Sequence, residues 1–127
     1  MAHARFATAI NCMDGRVQLP VIEFLRQRYG VDYVDMITAP GVVGILADVT
    51  DVRFEDSLKR SLKVSIEKHG SHLIAVIAHH DCAGNPVDRR KQIEQTKAGI
   101  KKLKSWGLDA ELVGLWINKN WKVFDIS

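Results

Sequence analysis

Short apolar runs alternate along this chain with stretches in which apolar residues recur every three or four positions. The first pattern belongs to buried strands and the second to amphipathic helices. Phe6–Ile10 reads as a strand. Pro20–Tyr29 reads as a helix with Val21, Ile22, Phe24 and Leu25 as its buried stripe and Gly30 as its stop. Tyr33–Ile37 is a second strand, after which Pro40, Gly41 and Gly44 predict a loop. Asp48, Thr50 and Asp51 offer N-caps for a long helix in which Phe54, Leu58, Leu62 and Ile66 form a stripe, ending at Gly70. Leu73–Ala78 is almost purely apolar, as a central parallel strand buried on both faces must be. Asn85 as cap and Pro86 at the first helical position predict the next helix, with Ile93, Ile100 and Leu103 inward and Gly107 at its end. Leu112–Ile117 is a strand, Asn118-Lys119-Asn120 a hairpin turn, and Trp121–Ile126 a returning edge strand.

The order β-α-β-α-β-α-β-β predicts an α/β fold in three layers. Its sheet is mainly parallel, in the order 2-1-3-4 with a final antiparallel edge strand, and has helices on both faces. In such sheets ligands bind at the carboxyl ends of the strands, where strand order reverses. The 127 residues predict one domain spanning 1–127. A chain of that size buries roughly two-thirds of its unfolded surface and needs no disulfide staple. The N-terminus runs into a strand pattern without a signal-peptide layout, and no apolar run approaches a membrane span. The expectation is a cytoplasmic protein with reduced cysteines. The net charge of +3 is a mild excess, carried partly by Lys91, Lys97, Lys101, Lys102 and Lys104. These read as a solvated helix face, since no arginine–aromatic array supports nucleic-acid binding. Glycine-rich phosphate loops are absent, so nucleotide binding has no support.

Candidate chemistry gathers in two segments, Cys12-Met13-Asp14-Gly15-Arg16 and His79-His80-Asp81-Cys82. Each follows an apolar strand, and the predicted strand order brings the two strand ends together. Two thiolates and an imidazole, from His79 or His80, make a good zinc set. Three protein ligands leave one position open, as catalytic zinc requires. Asp14 and Arg16 stand beside the first ligand and either serve that position or form an ordinary salt bridge. The two cysteines, the only ones in the chain, have as alternatives burial as small hydrophobes or a mutual disulfide. Trp106, Trp116 and Trp121 read as core or interface aromatics. Ser57, Ser61 and Ser65 read as a tight helix contact, and His3, His69 and His72 as solvated or strand-edge residues. Val42, Val43, Ile45 and Leu46 either line an apolar pocket or pack under the second helix.

The two segments resemble the paired motifs of β-class carbonic anhydrases, Cys-x-Asp-Ser-Arg after one strand and His-x-x-Cys after a later one. Ile77-Ala78-His79-His80-Asp81-Cys82-Ala83-Gly84 is similar to the family's second strand end and loop. Val113-Gly114-Leu115-Trp116-Ile117, a turn and Trp121-Lys122-Val123 resemble its final hairpin. The resemblance covers most of the chain at the level of element order. It implies zinc on Cys12, His79 and Cys82, leaving His80 as a proton shuttle or a surface histidine. It implies that Asp14 takes the fourth position or accepts a hydrogen bond from zinc-bound hydroxide, and that Arg16 orients Asp14 and draws it off the metal. The implied activity is a zinc lyase hydrating carbon dioxide to bicarbonate, in a homodimer or higher homo-oligomer with the site near the subunit interface. No nucleic-acid or membrane partner is implied.

Three departures separate this chain from that pattern. Gly15 stands where the family has serine, and Thr38-Ala39-Pro40-Gly41 where it has Arg-Asn-Ala-Gly. The first strand begins within a few residues of Met1, where the family carries a helical arm. These changes keep two alternatives open: a zinc hydrolase for a related small substrate, carbonyl sulfide or carbon disulfide, and a non-catalytic zinc-binding fold.

Overall fold

A computed structural model describes residues 4–48 and 51–127 of the chain. His3 and the candidate cap Thr50 lie outside the described residues. Five strands, β1 (Phe6–Cys12), β2 (Tyr33–Ala39), β3 (Leu73–His79), β4 (Glu111–Ile117) and β5 (Val123–Asp125), form one sheet in the order β2-β1-β3-β4-β5. The first four run parallel and β5 is antiparallel to β4. The predicted α/β architecture is therefore the observed one, including the reversal of strand order at β1 and β3. That reversal sets the carboxyl ends of β1 and β3 side by side, and both end at candidate ligands, Cys12 and His79.

Alternation along each strand divides the core in two. Ala7, Ala9, Ala75 and Ile77 point to one face, where α1 (Gln18–Tyr29) buries Val21 and Leu25. Ile10, Ile74, Val76 and Ala78 point to the other, covered by α2 (Val42–Ala47), α3 (Val52–Lys63) and α4 (Arg89–Ser105). β3 is buried at every position, the environment its continuous apolar run requires.

Several local expectations need correction. The stretch after β2, expected as a loop, contains the helix α2. A helix this short has no intrinsic stability. It persists because Val42, Val43 and Leu46 are buried, with Leu46 seated on Gly99 of α4, where an added Cβ would stand 2.7 Å from its methyl. Thus these residues pack chiefly against α4 and the sheet. The helix expected from Asn85-Pro86 begins instead at Arg89, with Asp88 as cap: its Oδ1 accepts the Lys91 N–H at 2.8 Å. Asn85 is buried and donates to Gln95 Oε1 at 2.7 Å, so it is used for loop packing. The long second helix, capped by Asp51, ends in a π turn, Val64–Lys68. There Ser65 turns into the sheet, within hydrogen-bond distance of Thr8 Oγ1 (2.6 Å) and donating to Asp35 Oδ2 (2.7 Å), while Ser57 is exposed. Ser65 thus bonds strand residues of β1 and β2. His69 stacks on Phe6 and lies 2.7 Å from Asp35 Oδ2. β5 is shorter than Trp121–Ile126 because Trp121 adopts the left-handed region, φ 61°, and belongs to the turn.

Candidate metal centre

β1 and β3 deliver Cys12 and His79 as their last residues, and the loop after β3 returns Cys82 to the same place. The ligand atoms of Cys12, His79 and Cys82 all lie within 4.8 Å of one another, and all three residues are buried. The two cysteines are free thiols, with Sγ atoms 3.8 Å apart. Tetrahedral zinc with Zn–S bonds of about 2.3 Å holds two sulfurs about 3.8 Å apart, so the spacing suits that ion.

The histidine is oriented for a metal. His79 Nδ1 lies 2.7 Å from the backbone oxygen of His80, and a carbonyl accepts only, so Nδ1 carries the hydrogen. Nε2 then holds the lone pair. It is buried without any hydrogen-bond partner among the described residues. An orphaned buried acceptor costs about 1–3 kcal/mol, and a cation beside it removes that cost. Burial also lowers the pKa of His79 from its ordinary value, with the His80 carbonyl and Asp14 opposing, so the ring stays neutral as a ligand must. Burial and the Cys12 sulfur push the Cys82 thiol up. The chemistry of this donor set therefore fits zinc. His80, the competing candidate, is exposed and outside the cluster.

Asp14 and Arg16 form a close pair beside Cys12, with Nη2 donating to Asp14 Oδ2 at 2.6 Å and Nε reaching both carboxylate oxygens. The Arg16 backbone N–H donates to Asp14 Oδ1 at 2.9 Å. These bonds lower the Asp14 pKa to about 2, although partial burial opposes them. Arg16 also reaches the second loop: Nη1 donates to Asp81 Oδ2 at 3.2 Å and Nη2 to the Asp81 backbone oxygen at 3.0 Å.

Sequence reasoning missed the groups that hold these loops. Gln92 on α4 is buried and donates to the His79 carbonyl at 2.9 Å, while its Oε1 accepts the His79 N–H at 3.3 Å. Gln18 at the start of α1 donates to the backbone oxygens of Cys12 (2.8 Å) and Asp14 (2.7 Å). The Gly41 N–H donates to Cys12 Sγ at 3.4 Å. Gly41, at φ 56°, packs so close to Gly84 that a Cβ would meet the Gly84 carbonyl carbon at 2.5 Å. This explains why Thr38-Ala39-Pro40-Gly41 keeps a glycine at its last position. No periodicity marks Gln18 or Gln92, since each acts through loop or strand-end backbone groups outside its own helix.

Fold and site together define an α/β protein with a Cys-His-Cys donor set at its switch point. Residues 2–127 match the family described as "Putative carbonic anhydrase", and the chain belongs to that family. Solved structures agree on the fold. A carbonic anhydrase from Glaciozyma antarctica superposes with a TM-score of 0.61 at 20% identity, covering 94% of this chain and 81% of that one. One of two tetrameric β-carbonic anhydrases from Sordaria macrospora gives 0.62 at 13% identity, covering 99% and 82%. The β-carbonic anhydrase CafD of Aspergillus fumigatus gives 0.59 at 11% identity, covering 100% and 91%. No curated protein sequence matches significantly. No helix among the described residues is long and apolar enough to cross a membrane.

Proposed function

We propose that this chain is a zinc-dependent lyase that hydrates carbon dioxide to bicarbonate, with Cys12, His79 and Cys82 as the metal ligands. The observation that carries the reading is the buried donor cluster with an unpartnered His79 Nε2 at its centre. Cys12, His79 and Cys82 would hold zinc, which would supply Lewis acidity and make water a nucleophile near neutral pH, at a pKa of about 7. The neighbouring residues support the rest of the chemistry. Asp14 is an ionised acceptor that takes a hydrogen bond from the attacking oxygen and turns a lone pair toward the substrate carbon. Arg16 keeps that carboxylate charged and oriented, through a bidentate, charge-assisted pair. The Gly41 N–H stabilises negative charge on the Cys12 sulfur.

We further propose that residues 1–127 act as one domain, in the cytoplasm, in a homodimer or higher homo-oligomer. The tetrameric state described for the Sordaria macrospora enzymes supports assembly. A second reading is hydrolysis of carbonyl sulfide or carbon disulfide at the same centre. It is favoured by the loop beside the site, where Thr38 and Ala39 stand in place of the family's charged and amide side chains and Pro40 packs on Gly84.

Stopped-flow carbon dioxide hydration on zinc-quantified protein tests the proposal, with Cys82→Ser as control. One zinc per chain and a rate lost in the variant support it. One zinc per chain without hydration transfers the assignment to the sulfur analogues, assayed as release of hydrogen sulfide, or to a non-catalytic zinc fold.

A further inference from the structure

The structure assigns Asp81 and Trp121 as positioning residues for the Asp14–Arg16 pair: they clamp the guanidinium between the two loops and so hold the Asp14 carboxylate clear of the metal. The inference rests on the zinc reading above. Asp14 and Arg16 sit two residues apart on one loop, so their mutual bonds tie the carboxylate to that loop but not to the rest of the centre. The contacts that make that link come from elsewhere in the fold. Asp81, from the loop after β3, takes Arg16 Nη1 on its carboxylate and Nη2 on its backbone oxygen. Trp121, from the β4–β5 hairpin, lies under the guanidinium with its ring centre 4.6 Å from Cζ. A planar cation bonded to two carboxylates and lying over an aromatic face is restrained from three sides.

The backbone at both contributors points the same way. Asp81 (φ 57°) and Trp121 (φ 61°) are the non-glycine residues with left-handed backbones among those described. For a residue as bulky as tryptophan this region is costly, and such strain concentrates where a side chain is aimed for function. Asn118 supports the strained turn, its carbonyl accepting the Trp121 N–H at 2.9 Å and its Oδ1 the Lys122 N–H at 3.0 Å. The outcome is visible at the centre, where the close group of ligand atoms consists of Cys12, His79 and Cys82 without Asp14. Asp14 stands two residues after the ligand Cys12, and the clamp decides whether its carboxylate competes for the open position.

Cobalt(II)-substituted protein titrated with thiocyanate reads this directly, because the anion shifts the visible bands when it enters an open position. The variants are Asp81→Asn, which tolerates the left-handed backbone, Trp121→Leu and the conservative Trp121→Phe. Asp81→Asn and Trp121→Leu are expected to weaken thiocyanate binding about tenfold with one cobalt per chain retained, whereas Trp121→Phe stays near the wild type. Adding Asp14→Ala to Asp81→Asn restores thiocyanate binding, a rescue that mere structural damage does not give. Unchanged affinity in both variants, or a loss that Asp14→Ala leaves in place, overturns the inference alone. Wild-type protein that takes up no cobalt overturns the metal reading and the inference together.

Discussion

At the scale of single residues, the site works by choosing the protonation states of its own groups. Burial keeps His79 neutral below its ordinary pKa of 6.5 and keeps the Cys82 thiol protonated above its ordinary 9.0. Without metal, the unfolded chain therefore binds more protons at His79 as pH falls past about 6.5, and fewer at Cys82 as pH rises past about 9. Stability is lost in both directions. Urea unfolding in chelator across that range is expected to show a plateau with an acid and an alkaline slope, and zinc removes the alkaline slope by holding the thiolates. Asp14 behaves oppositely to Cys82. Its stabilising pair with Arg16 is complete above pH 3.8 and is lost as pH falls toward about 2. Asp14→Asn keeps the shape and removes the charged acceptor. Zinc content should stay at one per chain while kcat falls about a hundredfold, measured by stopped flow.

At the scale of elements, the site is held by contacts between segments that no local pattern connects. Gln92 of α4 satisfies both backbone groups of His79. Gln92→Leu leaves that buried N–H and C=O unpaired, at a cost of about 1–3 kcal/mol each. Lower urea midpoints and a ten- to hundredfold weaker zinc affinity, measured by chelator competition, are the expected result. Gly99 is the seat of Leu46, and Gly99→Val should force α2 away from α4 at a cost of about 1–3 kcal/mol. Because α2 begins at Gly41, whose N–H bonds Cys12 Sγ, the same variant should also weaken zinc binding. These couplings explain why the long periodic elements were legible and α2 was not. Phe54, Leu58, Leu62 and Ile66 repeat over enough turns to define a face, whereas Val42, Val43 and Leu46 span little more than one. Asn85 shows the converse: a good cap residue was recruited by the loop instead, where its amide meets Gln95.

At the scale of the whole molecule, the proposed zinc reading makes metal binding and folding one equilibrium. A ligand that binds only the folded chain stabilises it by an amount set by its concentration over Kd. At a thousandfold excess over Kd that amount is about 4 kcal/mol. Removing zinc with chelator should therefore lower Tm, and readdition should restore it, in calorimetry on wild type but not on Cys82→Ser. The proposed assembly is checked by light scattering of the zinc-loaded protein, where a monomer at working concentration would overturn it.

The chain by itself determined the α/β class, the order of the strands and longer helices, and the residues with metal-binding chemistry. Each of these follows from local facts: apolar periodicity, glycine stops and the rarity of cysteine. The strand order was reachable too, because parallel connections with short loops leave few topologies. What only the tertiary structure decided is how the side chains meet. His79 became the buried histidine of the cluster because its ring hydrogen bonds the next carbonyl and its other nitrogen faces two sulfurs. Trp121, which reads as a core or interface aromatic, became the floor under Arg16 because a strained turn aims it there. Gln92 acts on the backbone of His79 and Gly41 on the Cys12 sulfur, both far away in sequence, while Gln18 turns back to the loop carbonyls just before its own helix. Periodicity records which face of an element is buried, but not which distant carbonyl, N–H or sulfur a polar side chain or amide will reach once the elements have packed.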